Sequence, residues 1–314
     1  MRPLLLAVPL LACSPAPLES RAEPTAILAP LRIAAASDGG LAFVDLTSGA
    51  VLAHRESGPL EDLVVDPFRK QVLAFETIPR EEGGYVVHHP LDPTAVARRW
   101  FVDGTARLAA VPAGTLVFER SYGERWRLVG DRPLSSLPSP LPRSPFVEGT
   151  RALGLTEDGV LHTVETSPFA VAAERPLLLT HRTARVARTS SGLCALDLEN
   201  GVLVLRTLEA TATPLAIRAG AIVDLTPYEG GLAALVDQPL QLVIVRGTVA
   251  HALPLPGHPC GEEHPGCHAL VAAPPRVAIG TRDRVHVVRM SADLRLDLEN
   301  TLEGVHGPIA GPLP

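Results

Sequence analysis

The residues best suited to chemistry lie close together between positions 258 and 268, in the segment HPCGEEHPGCH. Two cysteines of this segment, Cys260 and Cys267, are separated by six residues. In an exported protein, two cysteines at such short range most often form a disulfide. We therefore predict that Cys260 and Cys267 pair and close a polar loop.

The same segment contains side chains of the types that bind transition metals, namely His258, Glu262, Glu263, His264 and His268. Their spacing matches no closed zinc-finger pattern, and an oxidising compartment favours the disulfide. We predict no bound metal and no other cofactor. In the alternative, a weak zinc or copper site at the surface, the ligands are His258, His264 and His268.

The first residues resemble a bacterial lipoprotein signal. Arg2 supplies a positive charge, and residues 4–12 form an apolar run that is too short to span a membrane as a permanent helix. The run ends in Leu-Leu-Ala-Cys, which is similar to the lipobox whose cysteine is lipidated and becomes the mature N-terminus. We predict a signal peptide over 1–12, a lipid anchor at Cys13 and a Pro/Ala-rich tether over 13–30. The alternative is an ordinary secretory signal with an unrelated cysteine.

The composition favours many short strands over long helices. Of 314 residues, 46% are apolar but only 4% are aromatic, and there are 31 prolines and 26 glycines. Proline and glycine punctuate turns, and a chain of this length can fold as one closed all-β domain. The formal net charge is −6 and Lys70 is the only lysine, so we expect no nucleic-acid partner.

A repeating unit of about forty residues organises the chain. In residues 32–46, for example, two strand-like runs flank the turn Asp38-Gly39. Seven such turns occur, at Asp38-Gly39, Glu82-Gly83, Tyr122-Gly123, Asp158-Gly159, Asn200-Gly201, Asp237-Gln238 and Arg282-Asp283. A third strand-like run follows each turn, and a further short run precedes each of the last six units. Four strands per unit at this period indicate the blades of a β-propeller.

The first unit lacks its innermost strand. Residues 306–313 supply a candidate, because propellers commonly close by completing the first blade with a strand from the opposite terminus. We therefore predict that residues 31–314 form a single all-β propeller of seven four-stranded blades, closed by this C-terminal strand. Six or eight blades are the alternatives.

Two segments resemble known repeats, residues 37–53 (SDGGLAFVDLTSGAVLA) and residues 63–76 (LVVDPFRKQVLAFE). They are similar to the YVTN and PQQ-like repeat families, which are propellers common in bacterial envelopes. Quinone-binding members carry a tryptophan docking motif in most blades, whereas this chain has only Trp100 and Trp126. The resemblance therefore implies an envelope propeller without a quinone cofactor. We expect both tryptophans to be packing or surface residues, and Cys194, in an apolar run, to be buried.

The predicted topology places the candidate site residues. Connections between successive blades emerge at the same end of a propeller as the turns between the second and third strands of each blade. The loop with His258, Glu262, His264 and His268 then shares a face with turn acids such as Asp38. Because function is often carried by loops on a rigid scaffold, this face is the candidate surface for binding a partner.

Three functional hypotheses follow from this interpretation. The leading one is a non-enzymatic binding or scaffold lipoprotein, exported and lipid-anchored at the outer membrane of a bacterial envelope, on its periplasmic or surface side. We expect a monomer that binds an unknown envelope protein or small ligand. The alternative is a metal-dependent hydrolase or lactonase-like enzyme with its site in the central channel, where Asp62, Asp66 and Asp224 would have to converge. A purely structural part in an envelope assembly is a third reading, because propellers have many activities.

Overall fold

The structure, a computed structural model, describes residues 31–92, 94–120, 124–129, 135–138, 145–156, 158–190, 192–207, 212–260 and 268–313. Over these ranges the chain forms seven four-stranded antiparallel sheets, and none of the described residues is helical. The prediction of a seven-bladed, all-β propeller is therefore confirmed. Nothing long and apolar enough to cross a membrane as a helix occurs in these ranges. Several predicted site residues lie outside them, namely Cys13, Glu262, Glu263, His264 and Cys267.

The blades follow one another along the chain. Blade 1 contains β1 (Arg32–Ser37), β2 (Gly40–Asp45), β3 (Ala50–Glu56) and β28 (Val305–Ala310); blade 2 contains β4 (Leu60–Asp66), β5 (Gln71–Thr77), β6 (Gly83–Pro90) and β7 (Arg98–Asp103). Blade 3 contains β8 (Thr105–Val111), β9 (Gly114–Arg120), β10 (Glu124–Val129) and β11 (Ser135–Pro138); blade 4 contains β12 (Phe146–Glu148), β13 (Arg151–Leu155), β14 (Val160–Thr166) and β15 (Phe169–Pro176).

Blade 5 contains β16 (Arg185–Thr189), β17 (Gly192–Glu199), β18 (Val202–Thr207) and β19 (Ala212–Arg218); blade 6 contains β20 (Ala221–Tyr228), β21 (Gly231–Asp237), β22 (Gln241–Arg246) and β23 (Val249–Pro254). Blade 7 contains β24 (Leu270–Ala273), β25 (Arg276–Gly280), β26 (Arg284–Met290) and β27 (Leu296–Glu303). The innermost strands are β28, β4, β8, β12, β16, β20 and β24.

The core lies between the blades. In β5, four consecutive residues, Val72 to Phe75, are fully buried, because neighbouring blades cover both faces of a middle strand. The outermost strand β3 is instead almost entirely exposed. Trp126 is fully buried and packs edge-to-face on Phe118, with the ring centroids 4.4 Å apart. The expectation that Trp126 is a packing residue is confirmed, as is the burial of Cys194.

The residues in the turns determine the geometry of the hairpins. Between β17 and β18, Asn200 and Gly201 both have positive φ, of 52° and 75°. This is the left-handed backbone of a two-residue hairpin turn, which asparagine and glycine adopt at little cost. The register then pairs Glu199 with Val202. The Asn-Gly marker in the sequence therefore located this hairpin correctly.

The ring closes through β28. Its residues Ala310 and Ile309 pair antiparallel with Ala34 and Ala35 of β1, and Ile309 is fully buried. Closure by a C-terminal strand is therefore confirmed. The strand starts one residue earlier than predicted and ends at Ala310, just before the Gly311-Pro312 pair, where proline has no N–H for the ladder.

One outer strand is displaced from its predicted position. The sequence predicts a strand over 95–101, whereas β7 begins at Arg98. The preceding residues form a turn, in which the carboxylate of Asp92 accepts a hydrogen bond of 2.8 Å from the backbone N–H of Thr94. Aspartate favours such turns over continued strand.

Candidate functional site

The seven inner strands enclose a central channel that contains two adjoining cavities, of about 430 and 470 Å³. Pro145, Phe146, Val147, His268 and Leu270 line both cavities. The remaining walls are mainly apolar and include Leu63, Val65, Leu108, Ala110, Val186, Leu225, Val271 and Ile309. The ionisable residues among those that line the two cavities are Arg188, Asp224 and His268.

Asp62 of blade 2 lies beside His268, which lines both cavities. A bulge between Leu60 and Asp62 redirects the side chain from β4, and Asp62 is fully buried. Its Oδ2 accepts a hydrogen bond of 2.8 Å from the backbone N–H of Leu108 in blade 3. Its Oδ1 lies 3.7 Å from Nε2 of His268 and has no hydrogen-bond partner within the described ranges.

Asp224 plays the same part in blade 6. A bulge between Ile222 and Asp224 again marks the site. Oδ2 accepts hydrogen bonds from the backbone N–H groups of Ala269 and Leu270 in blade 7, at 2.7 and 2.9 Å, and Oδ1 accepts one of 2.8 Å from Leu225. Burial raises the pKa of the Asp224 carboxyl, and the nearby charge of His268 opposes that rise.

Asp66 does not join this group. It lies at the other end of β4, where Oδ1 accepts hydrogen bonds from the backbone N–H groups of Phe68 and Arg69 at 3.0 and 3.1 Å. Its Oδ2 accepts a bond of 2.8 Å from the Gln71 side chain. The three carboxylates named from the sequence therefore do not converge. Asp62 and Asp224 approach His268, whereas Asp66 orders a turn.

Within the described ranges, no group of three or more His, Cys, Asp or Glu side chains is placed to hold a metal ion. His268 faces the channel, whereas His258 is exposed at the start of the connector, where its carbonyl accepts a hydrogen bond of 3.0 Å from the N–H of Arg282. Cys260 is buried against Gly307, where an added Cβ would lie 2.5 Å from its Sγ. The pairing of Cys260 with Cys267 stays a prediction, because Cys267 lies outside the described residues.

Sequence reasoning missed two arginines of the inner strands. Arg107 and Arg185 occupy the ladder position that Asp62 and Asp224 occupy in their blades: the pairs are Asp62 with Phe75, Arg107 with Phe118, Arg185 with Leu196, and Asp224 with Leu235. The guanidinium of Arg185 donates a hydrogen bond of 3.4 Å to the carbonyl of Val223 in blade 6. In four inner strands, a charged residue at this ladder position directly precedes Leu or Val. An alignment of the repeats with one another would have revealed this pattern from the sequence.

Strand directions define the two ends of the propeller. The connections between blades and the turns between second and third strands lie at one end, here called the turn face, which carries the exposed residues Asp38 and Asp158. Ser48 and Lys70 lie on the turns at the other end, the opposite face. A cavity of about 150 Å³ opens on the turn face between blades 4 and 5, where Asp158, His181 and Arg182 contribute to its lining.

Solved structures resemble this fold. A 6-phosphogluconolactonase-like protein from Bacteroides fragilis superimposes with a TM-score of 0.65 at 11% identity, over 90% of this chain and 98% of that one. The β-propeller domain of Cps50 (Swd1) from Myceliophteria thermophila gives 0.58 at 12% identity, over 83% and 93%. BamB from Moraxella catarrhalis gives 0.54 at 14% identity, over 88% and 83%.

These likenesses establish one point. The chain is a β-propeller. Identities of this size show the fold and do not select among the activities of the neighbours. No protein-family model and no curated protein matches the sequence. The resemblance to YVTN and PQQ-like repeats therefore remains a prediction.

Proposed function

We propose that the protein is a non-enzymatic binding or scaffold propeller of the bacterial envelope, which presents its turn face to an envelope protein or small ligand. One observation carries the proposal. The channel carboxylates Asp62 and Asp224 are buried and accept hydrogen bonds from backbone N–H groups of the next blade. Carboxylates engaged in this way hold the scaffold together and are poorly placed to activate water or bind substrate.

The position of Leu31, the first described residue, agrees with a turn face that points away from the membrane. Leu31 precedes β1 and accepts a hydrogen bond of 2.8 Å from Leu46, which lies on a turn of the opposite face. A tether ahead of Leu31 therefore reaches the propeller on the side away from Asp38. If Cys13 carries the lipid anchor, as proposed, the turn face points away from the membrane and stays open to a partner.

The experiment places a photo-crosslinking amino acid at Asp38 or Asp158 in the cell, with Ser48 and Lys70 as matched exposed positions on the opposite face. We expect a defined envelope protein to crosslink from the first two positions and not from the second two. Equal crosslinking from both faces, or none from the turn face, would contradict protein binding at that face.

The anchor and the disulfide are tested separately. Cys13→Ser should release the protein from membrane fractions, and unchanged membrane association would contradict lipidation. Thiol labelling of the unfolded, unreduced protein should modify Cys194, which is free and buried in the fold. Labelling of Cys260 and Cys267 as well would contradict the proposed disulfide.

One observation favours the alternative, a metal-dependent hydrolase. In the part of the chain that the structure describes, the buried Oδ1 of Asp62 has no hydrogen-bond partner, and it lies beside Nε2 of His268, which lines a cavity large enough for a small substrate. Calorimetric titration with Ca²⁺ and Zn²⁺ distinguishes the two functions, with Asp62→Asn as the control. Saturable binding that is lost in Asp62→Asn would support the hydrolase, and no binding would contradict it.

A further inference from the structure

A cleft on the opposite face lies outside both functions considered above. It has a volume of about 500 Å³ and lies between blades 6 and 7. The turn after β20 and the end of β22 form one side of it, and the turns that flank β25 and β26 form the other. Its lining consists of Glu229, Arg246, Pro275, Arg289, Met290, Ser291, Ala292 and Asp297.

Two buried donors at this cleft have no acceptor among the residues that the structure describes. Tyr228 is only 2% exposed, and its hydroxyl makes no hydrogen bond. The Nε of Arg246 is likewise buried and without a partner, although another nitrogen of its guanidinium bonds the Glu229 carboxylate. Buried polar groups are almost always paired, so two orphan donors at one place need an explanation.

Tyr228 is placed next to the cleft by its neighbours. It directly precedes Glu229, which lines the cleft, and its ring packs in the same cluster as Met290, which also lines it. Tyr228 pairs across the strands with Gly231, and a Cβ added at Gly231 would lie 3.3 Å from Cγ of Arg246. The side chains of Tyr228 and Arg246 therefore flank the same glycine at this end of blade 6.

A third donor lies at the rim. Arg289 is exposed, and it has no hydrogen bond or ion pair within the part of the chain that the structure describes. Arg276 is its cross-strand neighbour on β25. Because Arg276 already donates hydrogen bonds of 2.5 and 2.7 Å to Glu299, it is not available as a further donor for a ligand. On its other side Arg289 pairs across the strands with Asp297, but its guanidinium donates no hydrogen bond among the described residues and has donors to offer a ligand.

Charge and shape restrict the ligand. The two arginines of the lining are balanced by Glu229 and Asp297, so a multiply charged anion such as phosphate would be poorly neutralised. A single carboxylate needs only the donors of Tyr228, Arg246 and Arg289. The apolar surfaces of Pro275, Met290 and Ala292 fit a short hydrocarbon tail.

We propose that this cleft binds a small monocarboxylate with a short aliphatic tail, whose carboxylate accepts hydrogen bonds from the Tyr228 hydroxyl, Arg246 Nε and the Arg289 guanidinium. The proposal does not depend on the function of the turn face. It assigns a ligand site to the end of the propeller where Leu31 enters the fold.

The test titrates hexanoate into the purified full-length protein and follows binding by ligand-observed NMR. Tyr228→Phe and Arg289→Gln should each weaken hexanoate binding about tenfold, which corresponds to one charge-assisted hydrogen bond. Tyr85→Phe in blade 2 and Arg282→Gln on the turn face are the matched controls and should leave the affinity unchanged. Inorganic phosphate should not compete.

A second measurement separates binding from folding. Because the Tyr228 hydroxyl is buried without a partner, Tyr228→Phe should raise the melting temperature of the ligand-free protein by about 2–3 °C. A lower melting temperature would show that the hydroxyl has an acceptor and would overturn the proposal. Absence of saturable hexanoate binding, equal binding by both variants, or preference for phosphate would also overturn it.

Discussion

His268 and Asp62 meet at the propeller axis although they belong to blades 7 and 2, with Nε2 of one 3.7 Å from Oδ1 of the other. Blade 1 lies between these blades in the ring, and the carbonyl of His268 accepts a hydrogen bond of 2.9 Å from the N–H of Ile309 in its closing strand. The inner ends of three blades are therefore connected around one histidine.

The two oxygens of Asp62 should differ in their importance. Asp62→Ala removes the acceptor of the buried Leu108 N–H and should lower the free energy of unfolding by about 1–3 kcal/mol. Asp62→Asn keeps one oxygen for Leu108 and should cost less than about 1 kcal/mol. Urea denaturation of both variants measures the difference. Equal losses would mean that the hydrogen bond to Leu108 adds no measurable stability and would contradict this prediction.

Replacement by asparagine should cost more stability at Asp224 than at Asp62. Both of its oxygens accept backbone hydrogen bonds, and asparagine can supply only one acceptor. Asp224→Asn should therefore lower the free energy of unfolding by about 1–3 kcal/mol, and Asp237→Asn at the end of β21 by no more than about 0.5 kcal/mol. A loss at Asp224 no larger than that at Asp237 would show that the bonds to blade 7 are dispensable.

His88 should make the protein sensitive to mild acid. Burial lowers the pKa of His88 from 6.5 to about 4, and the charge of Asp66 opposes that shift only in part. The unfolded chain then binds a proton between these values that the folded protein does not bind. The contribution of His88 to the free energy of unfolding should therefore be constant above pH 6.5. Below pH 6.5 the free energy of unfolding should fall as the pH is lowered towards 4.

The variant His88→Gln tests this contribution, because glutamine keeps a polar group near Thr115, whose hydroxyl lies 3.0 Å from Nε2 of His88. Its free energy of unfolding should depend less on pH between 6.5 and 4 than that of the parent, with equal slopes above pH 6.5 as the internal control. His286, whose pKa is also lowered by burial, should contribute in the same direction and remain in the variant. An unchanged slope would contradict the assignment to His88.

Substitutions of buried residues in the closing strand β28 should strongly destabilise the fold. Ile309 of β28 is fully buried in the cluster that joins blades 7 and 1. Ile309→Ala should lower the free energy of unfolding by about 2–5 kcal/mol, through lost apolar burial and the cavity left behind. Leu298→Ala, on the outer strand β27 where the side chain is 44% exposed, is the matched control and should cost far less. Similar losses at the two positions would show that closure adds no particular stability.

The sequence predicts the ends of a strand well where turn residues flank it. It predicts strands over 50–56, 71–77 and 202–207, and the outer strand β3, β5 and β18 have these bounds. For the outer strand β27 it predicts residues 294–299, whereas the strand runs from Leu296 to Glu303. The exposed side chains of β27 carry no periodic signal that would fix its ends.

The candidate site was predicted only in part. The sequence places Asp62, Asp66 and Asp224 on or beside inner strands, and all three lie on β4 or β20. The approach of Asp62 and Asp224 to His268 was not predicted, since spacing along the chain does not reveal which strands meet around a central axis. The orphan hydroxyl of Tyr228 could not be predicted either, because it depends on the absence of an acceptor in three dimensions.

The hydrogen bonds between blades are asymmetric, because a side chain on one blade binds the main chain of the next. Asp62, Arg185 and Asp224 each use a side chain of one blade to bind main-chain atoms of the next. Main-chain donors and acceptors are the same whatever residue carries them. The receiving blade can therefore change its sequence freely without losing the bond, so that repeats of one ring drift apart while the ring itself persists.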